Sequence, residues 1–366
     1  MMEQQLQQGI IMREPNSNGD DAGEDGSLQV GLLSAEVQPR LQFQLRRREW
    51  CSRGCLIFGV LMFTFSAVYL ILLSGRSYNI LQTAAPLNIL VVGDWGRDGL
   101  FNQTLVAKQM GIVGSKFNID YVISTGDNFY ESGLTGPDDT QFTTSFSDVY
   151  TQESLQTTWY SVLGNHDYRG NATAQLAKEL TLRDSRWFCR ETTGVEFFFI
   201  DTNPFVESYW VENNKDYIWQ LPISRQDYIA HELMNLTDAL ETSKAKWKIV
   251  VGHHTMRSVG KHGETHELLT EVLPILEANG VDMYINGHDH CLQHIKRSDS
   301  SLHFLTSGGG SKAWRGRGTN KDKDTGLQFY YDGQGFAAVS MIPSAFHMDF
   351  YDISGNILHS LDLSKD

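Results

Sequence analysis

The sequence predicts a layered α/β domain that occupies most of the chain. From Leu87 onward, short apolar runs that end at glycine or polar residues alternate with segments of helical periodicity. This pattern is typical of buried strands joined by helices. After Phe336 the pattern changes to back-to-back strands, which indicates a second, partly antiparallel sheet. We find no internal repeat, so residues 84–366 are expected to form one domain with a core of its own.

The expected strands are the runs in which Val, Ile and Phe are concentrated. They are Asn88–Val92, Tyr121–Ser124, Trp159–Leu163, Val195–Ile200, Lys248–Val251, Met283–Ile285, His303–Thr306, Phe336–Ile342, Ala345–Tyr351 and Ile357–Leu363. Apolar residues at helical spacing predict one helix through Val106–Phe117 and another through Leu268–Leu276. A third helix is expected to begin at Ser224, because Asp227 follows three residues later, as in a capping box.

The N-terminal part of the chain differs from the rest in composition. Residues 1–45 are rich in acidic residues, Gln and Gly and are expected to be disordered. Residues 46–77 combine a basic flank with the uncharged apolar run Leu56–Leu73, which is long enough for a single transmembrane segment. Because the arginines precede this run, the N-terminus is expected in the cytosol and the domain across the membrane. The run is either a signal anchor or a cleaved signal peptide.

Other features agree with the secretory pathway, on the extracellular, vacuolar or lumenal side. Three N-x-S/T acceptors of a glycoprotein follow the apolar run: Asn102, Asn171 and Asn235. Cys189 and Cys291 are either a single disulfide or two isolated thiols. The formal net charge of −14 argues against a nucleic-acid surface. It does not exclude phosphate substrates, because bound metal ions can reverse the local sign of charge.

Five polar clusters directly follow predicted strands, where α/β folds place their sites. They read Gly93-Asp94-Trp95-Gly96, Gly126-Asp127-Asn128-Phe129-Tyr130, Gly164-Asn165-His166-Asp167, Val250-Val251-Gly252-His253 and Gly287-His288-Asp289-His290. One Gly-Asp pair is commonly a turn, but burying so many ionisable groups costs free energy unless something pairs with them. A metal centre is the natural partner. Carboxylates and a phenol suit a trivalent ion, whereas imidazoles and an amide oxygen suit a divalent ion.

The ordered set GD-x-G, GD-xx-Y, GNH-D, V-xx-H and GH-x-H resembles that of the purple acid phosphatases, within the metallophosphoesterases. The similarity spans essentially all of residues 87–366 and is greatest to the short plant members. It implies a calcineurin-like, four-layer α/β/β/α sandwich in which two mixed β-sheets are flanked by helices. It also implies an acid phosphatase, a hydrolase that acts on small phosphate monoesters.

The resemblance further implies a binuclear centre with Asp127 as the bridge. The ligands of a ferric ion, Fe(III), would be Asp94, Asp127, Tyr130 and His290. Those of a divalent ion would be Asp127, Asn165, His253 and His288. Iron, zinc and manganese all fit the divalent position. Tyr130 is the distinguishing residue, since related serine/threonine protein phosphatases lack a tyrosine at this place.

Two further histidines, His166 and His262, are expected to face the substrate. In the implied mechanism a metal-bound hydroxide attacks phosphorus and a protonated histidine donates to the leaving alcohol. Lys261 stands where the animal members carry an acid, which leaves substrate range and pH optimum open. The run Gly308–Gly310, with Trp314 nearby, either approaches the phosphate or forms a tight turn.

Three alternatives are compatible with the same motifs. The metal ligands do not distinguish a monoesterase from a diesterase or nucleotidase of the same fold. An iron pair could also support peroxidase activity as a side reaction. A catalytically silent, membrane-anchored binding protein is the third alternative, and the complete set of expected ligands argues against it.

Overall fold

The computed structural model describes residues 85–177, 182–184, 188–190, 194–318 and 325–366. The segment predicted to be disordered, 1–45, and the predicted membrane segment, 46–77, lie outside the described residues. Within the described part of the chain, no helix is both long enough and apolar enough to cross a bilayer.

The described residues form strands β1 to β14, and ten of these agree with the predicted strands to within two residues at each end. In chain order they are Leu87–Val92, Tyr121–Ser124, Thr158–Ser161, Leu182–Asp184, Phe188–Arg190, Val195–Phe199, Trp247–Val251, Met283–Asn286, Leu292–Lys296, His303–Ser307, Leu327–Tyr331, Gly335–Ile342, Ala345–Asp352 and Ile357–Ser364. The sequence analysis missed β4, β5, β9 and β11. These strands are short, or carry too many polar residues to show an apolar run.

The strands form two seven-stranded mixed sheets. The order in the first is β14-β13-β12-β1-β2-β3-β4, with β1 to β4 parallel and β12 to β14 antiparallel. The order in the second is β11-β9-β10-β8-β7-β6-β5, with β6, β7, β8 and β10 parallel. The C-terminal strands therefore do not make a sheet of their own but extend the first sheet beyond β1.

The helices α1 to α6 flank these sheets. In chain order they are Gln103–Phe117, Asn165–Arg169, Ala172–Ala177, Arg225–Thr242, His266–Glu271 and Leu273–Ala278. At the start of α4, Ser224 Oγ accepts the backbone N–H of Asp227, as the sequence predicts. The helix predicted through Leu268–Leu276 is wrong in its continuity. It divides at Val272 into α5 and α6, because Pro274 lacks an N–H and belongs in a first helical turn.

Three apolar layers hold the sandwich together. Between the sheets, Ile89 and Ile123 of the first pack with Phe197 and Ile285 of the second, all fully or almost fully buried. On the outer face of the first sheet, α1 contributes residues such as Met110. On the outer face of the second sheet, α4, α5 and α6 contribute their apolar sides. The predicted four-layer α/β/β/α sandwich is thus confirmed. Each fully buried large apolar side chain contributes about 1.5 to 3 kcal/mol.

Candidate metal centre and substrate cleft

The five polar clusters meet because of the sheet topology. β1, β2 and β3 are parallel neighbours in the first sheet, and β7 and β8 are parallel neighbours in the second. β1, β2, β3 and β8 end just before their clusters, and β7 ends two residues before His253. The carboxyl ends of these strands therefore bring the clusters to one edge of the sandwich, as expected for a site in an α/β fold.

Three residues of these clusters have a left-handed backbone conformation. Asp94, Asp127 and His288 have φ of 61°, 52° and 67°, respectively, and each directly follows a glycine. Non-glycine residues adopt this conformation at a cost of about 1 to 3 kcal/mol, and such strain concentrates at functional sites. Gly126 is required for another reason. With φ of +93°, a Cβ there would lie 2.6 Å from Nδ1 of His253.

Asp94, Tyr130 and His290 form the first donor group. Tyr130 Oη lies 3.1 Å from Asp94 Oδ1 and 3.2 Å from His290 Nε2. His290 Nε2 is 3.4 Å from Asp94 Oδ1. Tyr130 Oη also donates to Asp127 Oδ2 over 2.9 Å. A phenol, an imidazole and two carboxylates therefore converge on one point, and all four residues are buried.

Asn165, His253 and His288 form the second donor group. His253 Nε2 lies 3.2 Å from Asn165 Oδ1, 3.3 Å from His288 Nδ1 and 3.5 Å from Asp127 Oδ1. The two oxygens of Asp127 thus face different groups, Oδ2 the first and Oδ1 the second. The structure brings together all seven residues that the sequence analysis assigned as metal ligands.

Backbone carbonyls orient two of the imidazoles. Nδ1 of His253 bonds to the carbonyl oxygen of Thr125 over 2.8 Å, and Nδ1 of His290 bonds to that of Lys312. A hydrogen bond from Nδ1–H to a carbonyl fixes the tautomer and leaves the lone pair on Nε2. In both residues that nitrogen points into the cluster.

The electrostatics of the cluster favour bound cations. Burial lowers the pKa of His253 and of His288, and it lowers the pKa of His290 to about 3, so these imidazoles are neutral. Burial and the negative charge of Asp127 raise the pKa of Asp94. Burial opposes ionisation of Asp127 too, but the backbone N–H of His166 and the hydroxyl of Tyr130 donate to its carboxylate and favour the charged form, which holds the pKa of Asp127 below its usual value.

Neutral imidazoles and adjoining buried carboxylates are a suitable donor set for cations. Without a cation, two adjacent buried carboxylates repel each other and lack compensation for lost hydration. The donor atoms of Asp94, Asp127 and His290 lie within 4.8 Å of one another, close enough to share one ion. The residues present therefore fit a binuclear metal centre.

His254 lies close to His253 and His288 but is engaged elsewhere. A nitrogen of each of these three residues lies within 4.8 Å of the others. However, Nδ1 of His254 bonds to Thr202 Oγ1 over 2.8 Å, and Nε2 bonds to Tyr209 Oη over 2.9 Å. Because both ring nitrogens have partners, His254 supports the wall of the site and offers no free donor.

The two histidines predicted to face the substrate border an open cleft of about 490 Å³. The His166 ring packs against Tyr130 at 4.3 Å between centroids, and its Nδ1 lies 2.5 Å from the carbonyl oxygen of Glu131. The His262 ring stacks on His288 at 3.9 Å, and its backbone N–H donates to Asp289 Oδ1 over 2.8 Å. Both imidazoles therefore lie in contact with the metal-ligand cluster.

The cleft contains residues that the sequence analysis did not assign. Arg169, Tyr209 and Tyr217 line it beside His166. Arg169 comes two residues after the Gly164–Asp167 cluster, so a basic residue next to a motif was a usable signal. The two tyrosines lie in the connection before α4. No spacing in that segment marks them.

The glycine run packs tightly against the cluster. A Cβ at Gly308 would lie 2.2 Å from the carbonyl oxygen of Asp289, and one at Gly310 would lie 2.4 Å from that of Gly93. This close approach explains the glycines without a phosphate contact. Trp314 does border the cleft, and its ring stacks on His290 at 4.0 Å with an interplanar angle of 5°.

The structure describes the side chain of one of the two cysteines and all three predicted glycosylation sites. Cys291 is a buried free thiol, and the side chain of Cys189 lies outside the described residues. Asn102 and Asn235 are exposed. Asn171 is half-buried, and its Oδ1 accepts the backbone N–H of Ala174 over 3.1 Å. Glycosylation at the three sites stays a prediction.

A sandwich of this kind, with two metal-binding groups at the ends of its parallel strands, defines a metal-dependent phosphoesterase. Residues 87–292 match the family described as calcineurin-like phosphoesterase. The chain is 56% identical over 290 residues to purple acid phosphatase 7 of Arabidopsis thaliana, a match that covers 78% of this chain and 88% of that protein. It is 31% identical over 307 residues to tartrate-resistant acid phosphatase type 5 of Oryctolagus cuniculus, covering 78% and 93%.

The chain therefore belongs to the purple acid phosphatase family, within the calcineurin-like phosphoesterases. This confirms the prediction of an acid phosphatase, made from the five motifs.

Two solved structures show the same fold. The first is GAP50, described as the anchor in the inner membrane complex of Plasmodium, with a TM-score of 0.66 and 24% identity over 77% of this chain and 90% of that one. The second is the purple acid phosphatase PPD1 of yellow lupin, with a TM-score of 0.56 and 15% identity over 77% and 54%. At these identities the likeness concerns the fold alone.

Proposed function

We propose that this protein hydrolyses phosphate monoesters at acid pH with a ferric ion and a divalent ion. The observation that carries the proposal is the position of Asp127. Its Oδ2 lies 2.9 Å from Tyr130 Oη, and its Oδ1 lies 3.5 Å from His253 Nε2. A carboxylate between a phenol-containing group and an imidazole-containing group fits a bridging ligand.

In this proposal the two ions occupy different positions. Asp94, Tyr130 and His290 would hold the ferric ion, because carboxylate and phenolate oxygens suit a trivalent cation. Asn165, His253 and His288 would hold the divalent ion, which is iron, zinc or manganese. When bound, such ions supply an activated water nucleophile and neutralise charge on the phosphoryl oxygens.

The protein itself would supply the proton for the leaving alcohol. His166 and His262 both border the cleft. The bond of His166 Nδ1 with the Glu131 carbonyl leaves Nε2 to face the substrate. Burial lowers the pKa of His262 below its usual value. A histidine of this kind keeps its proton only in acid, which agrees with an acidic optimum.

We also propose that the domain works in the secretory pathway, on the extracellular, vacuolar or lumenal side. The support is the apolar run Leu56–Leu73 behind a basic flank, together with the three N-x-S/T acceptors. Digestion with an endoglycosidase, followed by mass spectrometry of the purified chain, tests this part of the proposal. Unmodified acceptors in protein from a eukaryotic host would contradict it.

A visible absorption spectrum of the purified, metal-loaded protein tests the proposed ferric ion. We expect a purple or pink band from phenolate bound to ferric iron, and its loss in Tyr130→Phe. Tyr331→Phe is a matched control, because Tyr331 lies in β11 and does not line the cleft. A colourless wild-type protein with full metal content would contradict ligation by Tyr130. Hydrolysis of p-nitrophenyl phosphate by the same samples tests the activity itself.

A further inference from the structure

We propose that Arg169 is a specificity-determining residue that binds a second anion, on the leaving-group side of the substrate. The preferred substrates would then be phosphate monoesters that carry another phosphate or a carboxylate a few bonds from the ester oxygen. This inference rests on the proposed phosphomonoesterase function, which by itself does not select among leaving groups.

Arg169 differs from most other arginines of the described residues. Those pair with a carboxylate: Arg97 with Glu131, Arg225 with Glu207, Arg257 with Glu264, Arg297 with Asp299 and Arg315 with Asp332. Among the residues that the structure describes, no carboxylate lies within ion-pair distance of Arg169. Asp127 and Asp216 act on its charge only from longer range. In a chain with a net charge of −14, an arginine without such a partner in an active-site cleft is available to an anionic ligand.

The Arg169 side chain is held at the cleft wall. Its Nε donates to Tyr217 Oη over 3.2 Å, and its guanidinium carbon lies 5.5 Å from the centre of the Tyr217 ring. Tyr217 is 7% exposed and stacks on Tyr209 at 4.4 Å with an interplanar angle of 10°. Tyr209 in turn bonds to His254. Such a support fixes the planar guanidinium before an anion arrives, so less conformational entropy is lost on binding.

The position of Arg169 relative to His166 indicates which part of the substrate it meets. Nη1 of Arg169 lies 3.4 Å from Nδ1 of His166. In the proposed function the opposite nitrogen of His166, Nε2, faces the substrate. The guanidinium therefore lies on the other side of the His166 ring, in the part of the cleft that Tyr209 and Tyr217 also line, and the alcohol moiety would extend into this part. Nη2 makes no hydrogen bond to any of the described residues, so it is free to donate to that moiety.

The remaining charges of the cleft favour the same side. Glu264 and Glu267 line it as well. Glu264 is paired with Arg257, so among the described residues Glu267 supplies the uncompensated negative charge that repels an anionic leaving group. A second anion is therefore directed away from Glu267 and toward Arg169. Because electrostatic repulsion and attraction act together here, the distinction between charged and neutral leaving groups should exceed the effect of either one.

A pair of substrate series tests the proposal on the metal-loaded protein. The first series is α,ω-alkanediol bisphosphates of increasing chain length, and the second is ω-carboxyalkyl phosphates. Alkyl monophosphates of equal length, whose leaving alcohols are uncharged, are the reference. In Arg169→Gln we expect kcat/KM to fall about tenfold more for the anionic substrates than for the reference, since hydrogen bonds to charged groups are strong but partly screened here. Arg169→Lys should retain part of the preference.

Arg297→Gln is the matched control, because it removes a positive charge that does not line the cleft. It should leave the preference unchanged. An equal loss of kcat/KM on anionic and neutral substrates in Arg169→Gln, at unchanged metal content, would overturn the proposal. It would mean that Arg169 contacts the transferred phosphate or only supports Tyr217. Failure of the wild type to release phosphate from any of the esters would instead overturn the proposed function.

Discussion

His262 is held over the metal-ligand cluster from two directions. Its ring stacks on His288 at 3.9 Å and meets the edge of Trp314 at 4.8 Å. Its backbone N–H donates to Asp289, a buried residue of the same Gly287–His290 cluster that supplies His288. The loop that carries His262 and the cluster that carries two ligands are thus joined by one carboxylate. A proton donor at this position is therefore fixed beside the metal ligands by contacts within the fold.

Replacement of His262 by Ala should slow the hydrolysis of alkyl phosphates more than that of p-nitrophenyl phosphate. A general acid contributes about 10²- to 10⁴-fold when the leaving group is a poor one, and nitrophenolate leaves with little protonation. The measurement is kcat on both substrates, with the exposed His231→Ala as control. Equal losses on both substrates would assign His262 to binding alone and leave His166 as the proton donor.

At the level of single residues, the metal ligands could be predicted from the sequence because they belong to short motifs. All seven expected ligands converge in the structure, because each follows the end of a parallel strand and so has a defined place. Arg169 and Tyr217 could not be predicted in the same way. Their proximity depends on the path of the irregular connection before α4, for which the sequence has no periodicity. The hydrogen bonds of His254 with Thr202 and Tyr209 likewise could not be predicted, because they join residues that are distant in the sequence.

At the level of elements, the loop between β3 and α2 is packed without spare room. Gly164 donates its N–H to Asp167 Oδ2 over 2.8 Å, and the same carboxylate accepts the N–H groups of Asn128 and Phe129 after β2. A Cβ at Gly164 would lie 2.2 Å from both the backbone nitrogen and Oδ1 of Asp127. Asp167 therefore joins the two loops, and Gly164 allows them to approach.

Replacement of Gly164 by Ala should separate Asn165 from Asp127 and weaken the divalent-ion position. We expect metal content and kcat to fall at least about tenfold, since outer-shell changes at metal sites typically cost 10- to 100-fold. Gly136→Ala is the matched control, because a Cβ there would meet nothing within 4 Å. Elemental analysis of both variants gives the result. Full metal occupancy in Gly164→Ala would show that the loop can move aside without loss of the site.

Which elements could be predicted depended on burial. Strands buried on both faces, such as β2 and β7, carry continuous apolar runs and were found with their ends nearly correct. β9 and β11 were missed because they carry His, Gln and Lys beside apolar residues, and β11 is only partly buried. The division of α5 from α6 was missed because the apolar spacing continues across Pro274. The assignment of β12 to β14 to the first sheet could not be read from local pattern, since it depends on long-range pairing.

At the scale of the whole molecule, a chain of three histidines joins the two sheets away from the metal centre. His294 of β9 bonds through Nε2 to His303 of β10 over 2.9 Å and through Nδ1 to His359 of β14 over 3.0 Å. Burial and the two neighbouring histidines lower the pKa of His294 to about 3. Burial and the charge of Lys296 lower that of His303 to about 4.

This chain of histidines should make the fold less stable in acid. The unfolded chain takes up protons at these histidines below about pH 6.5, whereas folded His294 and His303 do not until near pH 3 to 4. Between these limits the unfolded state binds more protons, so the free energy of unfolding falls as the pH falls. His294→Gln removes one such group, and its amide can bond to both neighbours. We expect the wild type to lose about 2 kcal/mol more than this variant between pH 7.5 and 5, measured by urea unfolding.

The exposed His231→Gln should follow the wild type in the same experiment. Both variants keep the metal ligands, so any acid-induced loss of metal contributes equally and cancels in the comparison. Parallel stability curves for wild type and His294→Gln would show that the histidine chain accepts protons in the folded state. With that result, the acid pH of the proposed activity would not lower the free energy of unfolding through His294. With the expected result, acid has two opposed effects: it protonates the histidine that the reaction needs, and it weakens the contact between the two sheets.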